Sequence, residues 1–240
     1  MGLIAHRWLC SGLLLLGSMV GSALAADPGS RQNDIRLDAL TSSSGVQHGL
    51  KRPNFKLEAA SAQVRLVADW VVDSGDNSKL PFVIVDKAGA KAFVFRADGQ
   101  LRGAAPVLLG LAVGDDSVPG IGERKLSSIL PEERTTPAGR FVATLDHNLR
   151  GKRILWVDYE AGISLHPVIT TNPDERRAQR LATPTLLDKR ISYGCINVPA
   201  KFFYGVVAPA FKGTNGIVYV LPETRSVQQV FAMGLSPRSK

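Results

Sequence analysis

The sequence predicts a mainly β domain with a few short helices, preceded by an N-terminal helix that follows a flexible linker. Short β-rich runs separated by turn residues recur between residues 80 and 222. They do not alternate with long helical patterns, as the strands of a parallel α/β sheet would. With 45% hydrophobic residues among 240, the chain can build one sizeable core.

The strand signals begin with two β-rich runs, residues 82–86 and 91–96, which Lys-Ala-Gly-Ala separates as in a hairpin. An Asp-Gly turn then leads to a third run that ends at residues 107–109. Residues 110–140 form a long connection, and connections of that length usually carry function or a short helix. Further strands are predicted at residues 141–145, 154–157, 163–165 and 217–221.

Helical signals flank and interrupt these strands. Apolar residues recur on one face from Ala60 to Val71, and Gly75 is expected to end that helix. Pro199 suits the first position of another helix. Short helices are also predicted at residues 173–180 and 226–233.

The first 25 residues have the pattern of a secretory signal peptide. Arg7 supplies a positive charge, an apolar run follows, and Ala23-Leu24-Ala25 has the small-x-small form that signal peptidase cleaves. We expect cleavage after Ala25 and a periplasmic mature chain, with an uncleaved anchor as the alternative. The apolar run is short and interrupted by Gly and Ser, so no stable membrane anchor is expected.

The remaining chain divides into four parts. Residues 26–55, rich in Ser, Asp, Gly and Gln, are predicted to be a linker. Residues 56–75 form a helix that packs on the main domain, residues 80–222 form that domain, and residues 223–240 form a C-terminal helix and tail. The net charge of +8 suits anionic polymers or membrane surfaces, although it often serves solubility alone. No nucleic-acid-binding motif is visible, so no nucleic-acid partner is expected.

Two cysteines occur in the sequence, and Cys10 lies within the predicted signal peptide. Cys195 would therefore be the single thiol of a mature chain in an oxidising compartment. It is either a buried, inert cysteine or a nucleophile. One cysteine and scattered histidines give no ligand cluster, so no metal or cofactor is expected.

The surroundings of this cysteine favour a nucleophile. Residues 192–197 read Ser-Tyr-Gly-Cys-Ile-Asn, between a strand-like approach and the helix predicted at Pro199. We expect the thiolate to gain from the positive end of that helix. Gly194 would allow a sharp turn, and the N–H groups of Gly194 and Cys195 could hold a developing oxyanion.

A cysteine nucleophile needs a base, and the mature chain offers three histidines. His48 lies in the linker, and His147 lies in a polar turn. His166 follows the strand predicted at residues 163–165, so it could project from the strand end into a site. We predict His166 as the base, with His147 as its rival.

Residues 136–141 (Thr-Pro-Ala-Gly-Arg-Phe), His166 and the cysteine motif together resemble the L,D-transpeptidase (YkuD-like) family. The family signature is a histidine followed later by Ser/Thr-His-Gly-Cys, a small apolar residue, and then Arg or Asn. The resemblance covers roughly residues 80–222 and implies a β-sandwich-like catalytic domain with peptidoglycan stem peptides as substrate. In this family the cysteine attacks the carbonyl of the third residue of a tetrapeptide stem, D-alanine leaves, and an amine of a second stem resolves the thioester.

The resemblance implies Cys195 as nucleophile and His166 as base. The other predicted site residues would bind the oxyanion or the substrate: Gly194, Tyr193, Ser192, Asn197 and Arg190.

Three features depart from the family pattern. Tyr193 stands where the family usually has a second histidine, which affects substrate handling more than nucleophile formation. The base and the cysteine are further apart than usual, because of residues 170–185. The arginines of that segment could meet stem carboxylates or could form a solvated helix face. Pro167 replaces a small or polar residue but still offers the carbonyl that orients the ring in this family.

Three functions remain open from the sequence. The thioester could be resolved by an amine, in a transpeptidase that makes cross-links or attaches a protein to the wall. Water could resolve it instead, in a carboxypeptidase or in an amidase that releases wall-bound protein. The chain could also be a wall-binding module without turnover.

Overall fold

The computed structural model describes residues 52–233. The predicted signal peptide and most of the predicted linker lie outside the described residues, as do residues 234–240. Within the described part, Asn54 pairs with Gln100, and Phe55 is buried against Phe93 and Phe95. The end of the predicted linker is therefore packed on the sheet.

The described residues are mainly β, as predicted, with ten strands in two sheets. The large sheet has the strand order β3-β2-β1-β10-β5-β6-β7-β9, and β4 pairs with β8 in the small one. The pairs β1–β10, β7–β9 and β4–β8 are parallel, and all others are antiparallel. The strands are β1 (Phe82–Asp86), β2 (Lys91–Phe95), β3 (Leu101–Pro106), β4 (Leu109–Gly110), β5 (Gly139–His147), β6 (Arg153–Asp158), β7 (Ile163–Pro167), β8 (Arg190–Ser192), β9 (Ile196–Val198) and β10 (Gly216–Val220).

Five α-helical segments accompany these strands, and all but the first are short. Single 3₁₀ turns lie mainly in the connections that follow β4 and β7, and a π-helical turn, Phe203–Val207, joins α3 to α4. The helices are α1 (Ala62–Ser74), α2 (Arg177–Ala182), α3 (Ala200–Phe202), α4 (Ala208–Ala210) and α5 (Val227–Phe231).

The long strand β5 joins the two halves of the large sheet. Its first residues pair with β10, and its last residues pair with β6. Side chains from both halves, such as Val83 of β1 and Leu165 of β7, meet in one buried cluster. The two halves thus close on a shared core, as the layers of a sandwich do.

The other face of the sheet around β1 is covered by α1. The side chains of β1 alternate, so Val83 and Val85 face the shared core while Phe82 and Ile84 face a second cluster. The apolar face predicted for α1 packs into that second cluster. Gly75 ends the helix in the left-handed conformation, at φ 69°. Because both faces of β1 are covered, all five of its residues are buried.

A buried ion pair ties the loop after β4 to the β1–β2 hairpin. Lys87 Nζ lies 2.8 Å from Asp115 Oδ1, and neither side chain is exposed. Asp115 also accepts hydrogen bonds from the backbone N–H groups of Glu223, Thr224 and Arg225. Burial raises the pKa of Asp115, but the bonds from Lys87, Thr224 and the backbone outweigh it and hold that pKa far below its usual range.

We expect Lys87→Met to lower the free energy of unfolding by about 3 kcal/mol at pH 7, because the buried Asp115 carboxylate then keeps only the part-exposed Arg225, 3.7 Å away, as a cationic partner. Lys91→Met is the matched control. It breaks the partly exposed pair with Glu58 and should cost about 1 kcal/mol or less. Urea denaturation of both variants measures the difference, and equal losses would contradict a dominant role for the buried pair.

The pH dependence of this loss has a defined sign. A depressed carboxyl pKa contributes stability above the unfolded-state pKa of about 3.9, and this contribution is lost as the pH falls below it. In Lys87→Met the pKa of Asp115 rises, so the variant's Asp115 takes up a proton at a pH where the wild-type carboxylate stays ionised. The difference in unfolding free energy should therefore narrow as the pH is lowered through the variant's Asp115 pKa, towards about pH 3.

No helix within residues 52–233 has the length and hydrophobicity needed to cross a bilayer.

Candidate active site

The predicted nucleophile and base meet because β7 and β9 pair in parallel. His166 lies opposite Asn197 and Leu165 lies opposite Ile196. Side chains alternate along a strand, so Ser164 and His166 lie on one face of β7. Cys195, immediately before β9, lies on the same face as Asn197. The pairing therefore brings a thiol, an imidazole, a hydroxyl and an amide together.

The thiol is free and partly exposed. Cys195 Sγ lies 3.7 Å from Ser164 Oγ and 3.7 Å from the Gly162 carbonyl oxygen. The prediction that a helix N-terminus stabilises the thiolate is wrong. Residues 196–198 pair with β7 as β9, and α3 begins only at Ala200.

The His166 ring is held at both nitrogens. Nδ1 lies 2.8 Å from the Pro167 carbonyl oxygen, which can only accept, so Nδ1 carries the proton. Nε2 is then the basic nitrogen, and it lies 3.4 Å from Asn197 Nδ2. The Asn197 side chain is fully buried and also donates to the Cys195 carbonyl oxygen at 3.3 Å. Asn197, predicted to bind the oxyanion or the substrate, thus contacts the base and can hydrogen-bond to it in its neutral form, with Nε2 as the acceptor.

Each member of the pair shifts the pKa of the other. Burial raises the pKa of the Cys195 thiol, but the neighbouring His166 imidazole and its positive charge outweigh burial and lower it. Burial likewise lowers the pKa of His166, yet the neighbouring thiol and its negative charge when ionised raise it overall. Both shifts favour a thiolate–imidazolium pair, the reactive state of a cysteine nucleophile.

The turn before the thiol requires glycine. Gly194 has φ +127°, and a Cβ there would lie 2.6 Å from Ile163 Cδ1 and 2.8 Å from the Thr135 carbonyl oxygen. Thr136 Oγ1 donates to the Gly194 carbonyl oxygen at 2.8 Å and accepts from Gly110 N–H at 2.8 Å. The connection that follows β4 therefore supports the turn.

Ser192 also supports this turn. Its buried hydroxyl donates to the Cys195 carbonyl oxygen at 2.6 Å and accepts from Gly194 N–H at 3.1 Å. Gly194 N–H must leave Ser192 before it can hold an oxyanion, so the predicted oxyanion role stays a prediction. Ser192 itself shapes the turn.

The other two predicted residues contact charged partners. Arg190 forms an ion pair with Glu223, so its charge is already compensated. The Tyr193 ring lies under the guanidinium of Arg134, 4.0 Å from the ring centroid to Cζ.

One arginine of residues 170–185 reaches the site. Arg177 Nη1 donates to Asn197 Oδ1 at 2.8 Å, and its side chain is only 12% exposed. The solvated-face interpretation is therefore wrong for Arg177, although Arg176 is exposed. The positive charge of Arg177 opposes the rise in the His166 pKa.

The rival base, His147, lies elsewhere. It is the last residue of β5, opposite Arg153, and its side chain is 55% exposed beside Asp146. It lines a surface cleft of about 900 Å³ together with Tyr204 and Lys212. Neither Cys195 nor His166 lines that cleft.

Sequence reasoning missed three contributors: Ser164, Thr136 and Arg134. Thr136 and Ser164 lie in segments that were already singled out, but their contacts depend on strand pairing that single-sequence patterns do not show. Among residues 52–233, no cluster of three or more His, Cys, Asp or Glu side chains is arranged to hold a metal ion.

No protein-family model and no curated protein matches the chain. Similar solved structures include the helical cell shape determining protein Pgp2 from Campylobacter jejuni, at 14% identity and a TM-score of 0.41 over 65% of this chain and 55% of that one. The L,D-transpeptidase from Xylanimonas cellulosilytica is 14% identical, with a TM-score of 0.37 over 62% of this chain and 67% of that one. The catalytic domain of the Enterococcus faecium L,D-transpeptidase is 17% identical, with a TM-score of 0.34 over 60% and 98%.

The chain thus spans about half the length of Pgp2. A likeness of this size leaves the function of the chain to be argued from its own residues.

Proposed function

We propose that the protein is a peptidoglycan L,D-transpeptidase in which Cys195 is the nucleophile and His166 is the base. The observation that carries the proposal is the placement of Cys195 and His166 on one face of the paired strands β7 and β9, beside the turn at Gly194. The directions in which each group shifts the pKa of the other agree with this role. The resemblance of the cysteine motif supplies the substrate class, and the pair supplies the chemistry.

The proposed reaction has two halves. The Cys195 thiolate adds to the carbonyl of the third stem residue, and His166 gives its proton to the departing D-alanine amine. An amine of a second stem then attacks the thioester, and His166 takes the proton that this amine loses. Donors that stabilise the oxyanion are worth about 2.7–4 kcal/mol each in other enzymes.

Hydrolysis is the second candidate function. Cys195 as a residue is partly exposed, so water can approach a thioester formed there. With water as acceptor, the same site would trim stems or release wall-bound protein. A site without turnover would have no need of a free thiol, a glycine-dependent turn and an imidazole placed on one face of paired strands.

Mass spectrometry of residues 26–240 incubated with tetrapeptide muropeptides distinguishes these functions. We expect cross-linked dimers and free D-alanine with the wild type, and neither with Cys195→Ala. Trimmed monomers without dimers would assign hydrolysis instead. Unchanged muropeptides would contradict both enzymatic functions.

A further inference from the structure

The Arg134 guanidinium is held in a fixed orientation beside the cysteine motif. It lies over the Tyr193 ring, 4.0 Å from the centroid, in cation–π geometry. Its Nε and Nη2 both donate to the Ile129 carbonyl oxygen, at 3.3 and 3.1 Å. Nη1 has no hydrogen-bond partner within residues 52–233. One edge of the guanidinium is thus anchored, and the other edge is free.

The charge of Arg134 is uncompensated in the described part of the chain. The neighbouring carboxylate, Glu133, binds Arg124 through both oxygens, at 2.8 and 3.0 Å. Arg177 is paired with Glu175, and Arg190 with Glu223. Of these arginines, Arg134 alone has no acidic partner among residues 52–233.

The backbone next to this cation packs against the turn that precedes the nucleophile. The carbonyl oxygen of Thr135 packs against Gly194 so closely that a Cβ on the glycine would come within 2.8 Å of it. Tyr193, which carries the guanidinium on its ring, lies two residues before Cys195. The residues that follow Arg134 and Tyr193 in the chain, Thr135 and Gly194, therefore pack together at the turn that carries the thiol.

We propose that Arg134, supported by the Tyr193 ring, binds a carboxylate of the acyl donor beside Cys195. A planar guanidinium with a free edge is suited to a carboxylate, because both carry parallel hydrogen-bonding groups. This inference rests on the proposed function, in which the tetrapeptide donor carries two such groups. One is the C-terminal carboxylate of D-alanine, and the other belongs to the diaminopimelate-type residue.

The inference gives Tyr193 a role. A six-membered aromatic ring offers a broad face to a guanidinium, whereas an imidazole offers a smaller one and repels the cation when protonated. Support of the Arg134 guanidinium thus gives a physical reason for tyrosine, and not histidine, at position 193.

Alkylation of Cys195 tests the subsite without any substrate. Iodoacetate and iodoacetamide have similar size and the same leaving group, but only iodoacetate carries a carboxylate. In the full chain, the Cys195 peptide is followed by mass spectrometry with each reagent. We expect Arg134→Gln to lower the ratio of the iodoacetate rate to the iodoacetamide rate by about three- to tenfold, the effect of one nearby charge at high effective dielectric.

Two controls accompany this variant. Arg102→Gln removes an exposed arginine from β3, at the opposite edge of the sheet, and should leave the ratio unchanged. Tyr193→Phe keeps the ring and should keep the ratio, whereas Tyr193→Leu should lower it. An unchanged ratio in Arg134→Gln would overturn the subsite.

Amidated donors identify the carboxylate that is bound. Arg134→Gln should raise KM for the natural tetrapeptide donor with little change in kcat, and this effect should vanish for the donor whose bound carboxylate is amidated. One donor is amidated at D-alanine and the other at the diaminopimelate-type residue. If the alkylation ratio falls but no donor turns over, the subsite stands and the proposed function fails. If donors turn over while the ratio and KM are unchanged, the function stands and the subsite fails.

Discussion

Replacing Cys195 with alanine should abolish acylation and turnover while leaving the fold intact. The thiolate is the only group in the proposed reaction that bonds to the stem carbonyl, so the side chains that remain cannot form the thioester. The expected loss is complete in an assay that follows the acyl-enzyme mass with a tetrapeptide donor or a carbapenem. A Cys195→Ala variant that still forms product would refute the central proposal.

The fold should tolerate this change. Cys195 is partly exposed, and its sulfur makes two long contacts of 3.7 Å. Removing one sulfur atom should cost about 1 kcal/mol or less of unfolding free energy. Thermal denaturation of both proteins checks that lost activity is not lost structure.

Replacing His166 with alanine should lower the acylation rate by at least about 100-fold, the lower range for a general base. The imidazole lowers the pKa of the Cys195 thiol, whereas burial raises it. Without the ring, burial and the Ser164 contacts remain, so the thiol pKa rises. Less thiolate is then present at pH 7, and alkylation by iodoacetamide slows.

A pH series separates this explanation from a general loss of structure. In the wild type, the alkylation rate should reach its plateau below the pH typical of an ordinary thiol. In His166→Ala the midpoint should move to higher pH, with a similar plateau once the thiol is ionised. His147→Ala is the matched control and should change neither quantity, because that side chain is exposed and lines a different cleft. If His147→Ala slowed acylation more than His166→Ala, the base assignment would be reversed.

The parts of the fold with strong local patterns could be predicted from sequence. The structure confirms β1 residue for residue, and β2, β5, β6, β7, β10 and α1 lie where strand alternation or helical periodicity placed them. The three-residue strands β8 and β9 were not predicted, because so few residues show no periodicity and their pairing is decided by distant strands. Missing β9 led directly to the wrong helix-terminus argument for the thiol.

In the site, too, residue type and order could be predicted from sequence, whereas contacts between distant segments could not. Cys195, His166 and Gly194 were found from residue type and order, and the structure brings them together. The contact between the Asn197 amide and His166 depends on the parallel register of β7 and β9. The hydrogen bond from Arg177 to Asn197 depends on the loop after β7, which folds back onto these strands. Such contacts join residues 20 to 31 positions apart, which no local pattern reveals.

The oxygen that orients His166 belongs to the backbone of Pro167 and carries no full charge. Unlike the carboxylate of a Ser-His-Asp triad, it cannot balance an imidazolium once the thiolate is gone. The Cys195 thiolate is the one negative charge that raises the His166 pKa, against burial and Arg177. In the proposed reaction, addition of sulfur to the stem carbonyl moves that charge onto the carbonyl oxygen and leaves the imidazolium without the thiolate beside it. The ring then becomes a stronger acid at the moment when the departing amine needs a proton, so bond formation at sulfur itself times the proton transfer.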